Sequence, residues 1–479
     1  MKKIFRQIRY LISILIFTQS ILIKAVTEKT FLSTTPAGNT SCYMRDIWLQ
    51  NIELKGRDDI QGRVVLRSAY WQSYNKQGLG RYFGVNDKPT IVTGERIDDT
   101  VSPAAIVNAT SIDLDERRLI FGQASPVASA TVKFAPQQDF FTMVASYEQS
   151  CSCLVHGLLV RLSIPFEHVS RRLNASICSD NQTVYNTIAN FFTGNFASEL
   201  QVPLTHAKLS KKQTSRGLGD IELGIRYDLM NKQTLKFDIG FQGIIPCANK
   251  PRGEFLFEPL RGHAGHGGCG FDVHVSRLVY DNFWTTVQFV GVFDARYFFS
   301  TNQKRTIGLK ERILGQYILL GQAGQTKLLP AANVLTMPLK IDGYTELSAS
   351  CGINVNHYGW FSSLVYQLKT REEEQIHLKN CWNETTYAVT SFAFDGSPFG
   401  LSPNDFDLYA NNWITSHDLD LQAAVTPGFL VHEIGFSVGK VFDCDAQTLL
   451  VSVGASGEFS GRNFPAQSWG VEMCLGVSF

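Results

Sequence analysis

The segment from Gly219 to Leu229 alternates regularly between apolar residues and residues that are charged or glycine. The first set is Ile221, Leu223, Ile225, Tyr227 and Leu229, and the second is Asp220, Glu222, Gly224, Arg226 and Asp228. Side chains two residues apart lie on the same face of a β-strand, so one face of this strand suits hydrocarbon and the other suits water and ion pairs. After a polar turn near 231–233 the pattern repeats from Leu235 to Gln242, which predicts a β-hairpin.

Comparable alternation recurs along the chain, which indicates an all-β protein. Further segments begin near Arg63, Asp139, Leu154, Phe271, Trp284, Thr345, Tyr358, Asp418, Gly428, Thr448 and Trp469. Together these make about thirteen strands, whereas a single-chain membrane barrel needs an even number. Glu384 to Phe394 is the best remaining candidate, so we expect an antiparallel barrel of about fourteen strands, within a range of about twelve to sixteen. A soluble β-sandwich also alternates and is the competing interpretation.

The first 25 residues have the composition of a secretory signal peptide. Lys2, Lys3, Arg6 and Arg9 precede an apolar run from Leu11 to Ile23. Export followed by cleavage near Ala25 is therefore expected. Without this segment the chain has 39 basic and 43 acidic residues, a slightly negative balance that gives no reason to expect a nucleic-acid partner. Residues 26–60 form an N-terminal periplasmic or plug segment in this interpretation, and residues 61–479 form the barrel.

After the signal peptide, no run of about 20 uncharged apolar residues occurs, which excludes helical membrane spans. A membrane-spanning form of this chain must then be a closed barrel, because every backbone polar group has to be satisfied within the bilayer.

The end of the chain carries a specific resemblance. Trp469, Val471, Met473, Leu475, Val477 and Phe479 share one face of the last predicted strand, and the chain ends on that aromatic residue. This segment resembles the terminal strand of Gram-negative outer-membrane β-barrels. The resemblance implies a bacterial outer-membrane location, contact with outer-membrane lipids, recognition by the barrel-assembly machinery and a possible homo-oligomer.

Charged residues on the polar faces of the predicted strands would line the lumen. They are Arg161, Asp220, Glu222, Arg226, Asp228, Lys236, Asp238 and Asp272. Because rings of charge set ion preference in pores, this mixture of signs predicts weak selectivity. An ion-paired brace of the wall would explain the same residues.

Long stretches between the hairpins are expected to be loops, and one of them to narrow the lumen. The best constriction candidate is 300–342. There Lys304, Arg305, Lys310, Glu311 and Arg312 precede an apolar patch from Ile313 to Leu320, which we expect to pack against the inner wall.

Metal binding and catalysis have weaker signals, and we expect no cofactor. His263 and His266 lie in a glycine-rich stretch that ends at Cys269, but a complete ligand set with a recognised spacing is missing. Asp272, His274 and Ser276 share one face of a strand. Since residues two apart on a strand are about 6 to 7 Å apart, a direct contact between these side chains is not expected. We therefore expect no enzymatic activity.

The sequence contains 10 cysteines, which suits an oxidising compartment. Cys247 and Cys269 flank one loop and are candidates for a disulfide. Together these features predict an outer-membrane channel for diffusive passage of small solutes. The alternatives are a structural or adhesive surface barrel with a sealed lumen and a gated transporter of apolar small molecules.

Overall fold

The computed structural model describes residues 28–34, 61–84, 88–93, 111–112, 130–179, 182–196, 201–209, 211–232, 234–310, 312, 314–323, 325, 327–389, 413–444, 447–463 and 466–479. The predicted signal peptide, residues 1–25, lies outside them, as do residues 26–27 and 35–60 of the predicted N-terminal segment. None of the helices in the described part of the chain is long and apolar enough to span a membrane.

Twelve antiparallel strands close into a barrel. They are β1 (Gly62–Ser73), β2 (Gln137–Ser150), β3 (Leu158–Arg172), β4 (Ile221–Lys232), β5 (Leu235–Ile245), β6 (Gly268–Asp281), β7 (Thr285–Phe298), β8 (Tyr344–His357), β9 (Trp360–Arg371), β10 (Phe429–Cys444), β11 (Gln447–Arg462) and β12 (Ser468–Ser478). Each strand pairs with its neighbour in sequence, and β1 pairs with β12 to close the ring. One extra strand, Gln213–Leu218, pairs with β3 ahead of β4.

The prediction of fourteen strands is wrong by two, because two alternating segments belong to loops. Of the segment from Asp418, Leu419–Asp420 forms a two-residue strand and Gln422–Ala424 a 3-10 helix. Of Glu384 to Phe394, only Tyr387–Val389 is a strand, in a small sheet with Leu319–Gln322, and residues 390–394 lie outside the described residues. Apolar residues of both segments, such as Leu419, Val425 and Val389, are buried in a loop core, so an alternating sequence here does not mark a barrel strand.

The two ends of the barrel differ. Gly62 and Phe479 exchange backbone hydrogen bonds of 2.8 and 2.9 Å at one end, here called the terminal end. The connections at that end are short: 151–157, 233–234, 282–284, 358–359 and 445–446. At the opposite end, here called the loop end, the connections are 74–136, 173–220, 246–267, 299–343, 372–428 and 463–467.

The described parts of the long connections form what we call the loop domain. Among these residues are three α-helices (Lys76–Gly80, Gln182–Thr193 and Ala331–Leu335) and several small sheets. One of its cores includes Phe83, Phe191, Phe192 and Tyr317. The other includes Ile318, Leu320, Leu339 and Leu419. Residues 28–34 join the loop domain: the backbone N–H groups of Lys29 and Thr30 donate to the carbonyl oxygens of Tyr82 (2.6 Å) and Ala423 (2.9 Å).

The outer face of the barrel is apolar. Alternate side chains of all twelve strands are exposed Val, Leu, Ile, Met and aromatic residues, such as Leu66, Ile225, Phe271, Ile353 and Phe436. At the terminal end, exposed aromatic residues cluster on the β6–β7 and β8–β9 connections, where Trp284 stacks on Tyr358 with ring centroids 4.3 Å apart. Aromatic residues at the edge of an apolar band are typical of membrane-spanning barrels.

Candidate functional site

The inner wall of the barrel is the candidate site, and its two halves differ in chemistry. Strands β3 to β7 carry large charged side chains inward, and strands β10 to β12 carry mainly Gly, Ser and Glu. We call these the charged wall and the small-residue wall.

The charged wall brings five of the predicted lumen residues together. The Arg226 guanidinium lies 3.2 Å from Asp272 and 3.4 Å from Asp238. Arg161 lies 3.7 Å from the same Asp272. Glu222 accepts a hydrogen bond from Arg296, a residue that the sequence did not single out, at 2.9 Å. Opposite charges at these distances satisfy one another, so this half of the wall is a brace of ion pairs.

The other predicted lumen residues lie apart from this network. Asp228 and Lys236 are on the inward face nearer the terminal end and are more exposed. Asp220 precedes β4 at the loop end, where it binds the 246–267 loop. Alternation along a strand therefore predicts which face of the strand a residue lies on, but not which residues it contacts.

One group of potential metal ligands occurs among the described residues. Ligand atoms of Asp238, Asp272 and His274 lie within 4.8 Å of one another. The Arg226 guanidinium contacts all three, since it also lies 3.1 Å from His274 Nε2. The cation that these groups need is thus supplied by a side chain.

Asp272 and His274 are in direct contact, contrary to the expectation from strand spacing. His274 Nε2 lies 2.9 Å from Asp272 Oδ2. Both residues are buried inside the charged wall, in contact with Arg226, and there they join the ion-pair brace.

The small-residue wall has polar groups that the protein leaves without partners. Its inward positions include Gly435, Ser437, Ser452, Gly454 and Ser456. The hydroxyl groups of Ser437 and Ser456 and both carboxylate oxygens of Glu472 are buried, and none of them has a hydrogen-bond partner among the described residues. A buried polar group without a partner costs about 1 to 3 kcal/mol, so this wall is not optimised as a structural core.

Two inward-facing glycines of these strands are covered by aromatic rings. A Cβ atom on Gly470 would lie 2.4 Å from the Trp71 indole, and one on Gly439 would lie 2.4 Å from the Phe361 ring. Phe361 belongs to an apolar cluster on the inner wall with Val65, Val290, Val365 and others. The polar wall is therefore bordered by an apolar patch.

Asp220 holds the 246–267 loop at the mouth of the barrel, at the loop end. This carboxylate accepts hydrogen bonds from the backbone N–H groups of Cys247 and Ala248 (both 3.1 Å) and of His263 (2.7 Å), and from His263 Nδ1 at 2.9 Å. The His263 ring stacks on inward-facing Phe298 at 4.3 Å. Burial lowers the pKa of His263, but the neighbouring Asp220 outweighs burial and raises it above its ordinary value.

His266 binds different partners from His263, and the two rings do not share a site. Its Nδ1–H group donates to the Phe299 carbonyl oxygen at 2.8 Å, and Gln303 donates to its Nε2 atom at 3.0 Å. Burial lowers the pKa of His266 to about 4, so the ring is neutral.

A second buried network fastens the loop domain to the wall, and Glu374 is its centre. Its carboxylate accepts from Arg305 of the loop domain (2.6 Å), from Arg371 at the end of β9 (2.6 Å) and from the Thr426 backbone N–H (3.0 Å). The Phe31 ring lies 3.8 Å from the Arg305 guanidinium carbon. Burial raises the pKa of Glu374, but Arg305 and Arg371 outweigh burial and hold it well below its usual range.

The 300–342 stretch does not place its apolar patch against the inner wall. Tyr317 and Leu319 pack in one loop core, and Ile318 and Leu320 pack in the other. Of its charged residues, Arg305 is buried in the Glu374 network and Lys304 is exposed.

Comparisons with known proteins concern the fold. No protein-family model matches the chain, and no curated protein matches it. Similar solved structures include an outer membrane channel from Pseudomonas putida F1 (10% identity, 89% of this chain and 100% of that chain, TM-score 0.37). Others are the translocator domain of the autotransporter NalP from Neisseria meningitidis (8% identity, 92% and 95%, TM-score 0.31) and a Pseudomonas aeruginosa FadL homologue (8% identity, 88% and 90%, TM-score 0.25).

The remaining predicted residues are placed as follows. Trp469, Val471, Met473, Leu475, Val477 and Phe479 lie on the outer face of β12 or at its end. Their role in assembly stays a prediction. The predicted bridge between Cys247 and Cys269 is not formed: both thiols are free, and Cys269 points to the outer face of β6.

Proposed function

We propose that the chain is a bacterial outer-membrane channel whose lumen is closed by its loop domain and carries small solutes when that domain is displaced. The apolar outer face and the aromatic cluster at the terminal end support a membrane location. The small-residue wall is the observation that carries the proposal. A barrel that served only as a scaffold would gain stability by filling this wall with ion pairs, as the charged wall does, or with apolar side chains.

The closed state follows from burial. Glu433, Ser437 and Glu458 have exposed fractions of 0%, 0% and 1%, although they face inward from β10 and β11. Passage therefore requires a rearrangement. The Glu374 network is one of the links between the loop domain and the wall, beside the contacts of Asp220 with the 246–267 loop and of Arg171 with the Glu258 carbonyl oxygen.

The solute class that fits this wall is small and polar. The carboxyl groups of Glu433, Glu458 and Glu472 and the side chains of Lys369 and Arg67 line it, which suits a small polar solute. The apolar patch around Phe361 favours a second candidate, the gated passage of small apolar molecules.

Single-channel recording of the refolded chain in planar bilayers tests the proposal. We expect rare openings in the unmodified protein and frequent openings in Glu374→Gln, which leaves Arg305 and Arg371 without their carboxylate. Adding Gly454→Trp to Glu374→Gln should block conductance, whereas the adjacent outward-facing Ala455→Trp should not. Silence of folded Glu374→Gln would refute the channel and favour a sealed surface barrel. Uptake of apolar molecules by vesicles containing Glu374→Gln, with little ion current, would favour the second candidate.

A further inference from the structure

A basic pocket lies on the surface of the loop domain, apart from the lumen walls. It has a volume of about 620 Å³ and is lined by 203–206, Lys208, Arg252, Glu254, Lys304 and Gly194. Two of its segments run side by side: Ala207 N–H donates to the Gly253 carbonyl oxygen at 2.9 Å, and Lys208 N–H to that of Glu254 at 3.0 Å. The pocket is therefore built on paired backbone.

The charges of the pocket are unbalanced. Lys208, Arg252 and Lys304 bring three positive charges, and Glu254 brings one negative charge. Lys208 pairs with Glu254 at 3.1 Å. The Arg252 guanidinium has no ion pair or side-chain hydrogen bond among the described residues, and Lys304 has no carboxylate partner there. Two cations of the pocket are thus available to a ligand.

Lys304 is held in position by a chain of hydrogen bonds. Its ammonium group donates to His206 Nε2 at 3.0 Å, so the His206 proton is on Nδ1, which lies 2.9 Å from Thr205 Oγ1. Thr205 in turn donates to Asn333 at 2.8 Å. Burial and the neighbouring Lys304 lower the pKa of His206, which keeps this ring neutral and able to accept from Lys304.

We infer that this pocket binds the phosphate group of a phosphorylated organic molecule. Arg252 offers the planar fork that suits a phosphate oxygen pair, and Lys304 offers a second donor across the pocket. The volume is much larger than one phosphate group, and Pro203, Leu204 and Gly194 line the remainder, so the ligand extends beyond its phosphate. A phosphorylated sugar and the headgroup of a phosphorylated glycolipid share this chemistry.

The test uses the full mature chain refolded in detergent, with folding verified by heat-dependent migration. Calorimetric titration with inorganic phosphate and with glucose 6-phosphate should show binding that Arg252→Gln and Lys304→Gln each weaken about tenfold. Lys327→Gln, which removes an exposed lysine of the loop domain outside the pocket, should bind within about twofold of the unmodified chain.

Native mass spectrometry distinguishes the two sources of phosphate. Micelles contain either a diphosphorylated glycolipid or its dephosphorylated form. Adducts with the diphosphorylated glycolipid that form with the unmodified chain but not with Arg252→Gln would assign the pocket to a lipid headgroup. Binding of glucose 6-phosphate without such adducts would assign it to a soluble ligand. The inference is overturned when neither the soluble phosphates nor the glycolipid bind in a way that depends on Arg252 and Lys304.

Discussion

Asp220 shows what a single residue position can and cannot be predicted to do. Its place in an alternating segment predicts an inward direction, and its side chain is buried at the mouth of the barrel. Its partners, the backbone of Cys247 and Ala248 and the side chain of His263, come from a loop that returns to the barrel mouth. A contact between the end of a strand and a distant loop produces no periodic pattern in the sequence. His263 was therefore predicted only as a weak candidate metal ligand and not as a partner of Asp220.

The His263–Asp220 pair should make stability fall as the pH rises. Because Asp220 raises the pKa of His263 in the folded state, the contribution of the pair is fully present below about pH 6.5, the unfolded value. It is lost as the pH rises through the folded pKa. Thermal unfolding between pH 5 and 9 should show this slope in the unmodified chain and a weaker one in Asp220→Asn. A control variant, His377→Gln, removes an exposed histidine paired with Asp342 and should retain the slope.

His266 should have the opposite effect. Its pKa is lowered to about 4 by burial, so between about pH 6.5 and 4 the unfolded chain binds a proton that the folded chain does not. Stability conferred by the neutral ring is lost over that range as the pH falls. Replacement by Gln, which retains hydrogen-bonding capacity, should flatten this acid limb. An unchanged acid limb in His266→Gln would show that other groups control it.

At the scale of elements, period two identified the twelve barrel strands but also two segments that are not barrel strands. Leu419 and Val425 alternate with polar residues, yet they are buried in a loop core with Ile318 and Leu339. Hydrocarbon and a protein core select the same residue types, so pattern alone cannot separate a lipid-facing strand from a strand-like loop segment. The extra strand Gln213–Leu218 was missed because Gln213 to Gly217 contain no apolar residue and so show no alternation.

Two phenylalanines of β10 test whether its outer face meets lipid. Phe436 lies near the middle of the strand and Phe442 near the terminal end, and both are exposed on the same face, by 52% and 42%. In a bilayer, Phe436→Lys should cost about 2 to 4 kcal/mol of unfolding free energy and Phe442→Lys about 0 to 1 kcal/mol, because the cost of a charge depends on depth. Urea unfolding in lipid vesicles measures both. Equal costs would argue against a membrane-embedded face.

At the scale of the whole molecule, the barrel and the loop domain are two bodies with separate cores. The loop cores are filled with aromatic and aliphatic side chains, whereas the barrel interior is largely polar. The sequence suggests that deleting 303–340 would remove a single constriction loop. The deletion would instead remove Tyr317 from one loop core and Leu320 and Leu339 from the other. A point change at one buried contact between the bodies, such as Glu374, leaves both loop cores in place and is the cleaner perturbation.

Glu374→Gln should therefore loosen the loop domain and leave the barrel intact. Removing one partner of a buried ion pair typically costs about 3 to 5 kcal/mol, because Arg305 and Arg371 stay buried without their carboxylate. Limited trypsin digestion should cleave the variant within 299–343 or 372–428 while its heat-dependent migration on gels stays that of a folded barrel. Asp342→Asn, at an exposed pair with Lys340 on the same loops, changes stability by less than about 1 kcal/mol and should stay resistant. If trypsin resistance and barrel migration were lost together in Glu374→Gln, the two bodies would unfold as one unit, and a gate that moves independently of the wall would be excluded.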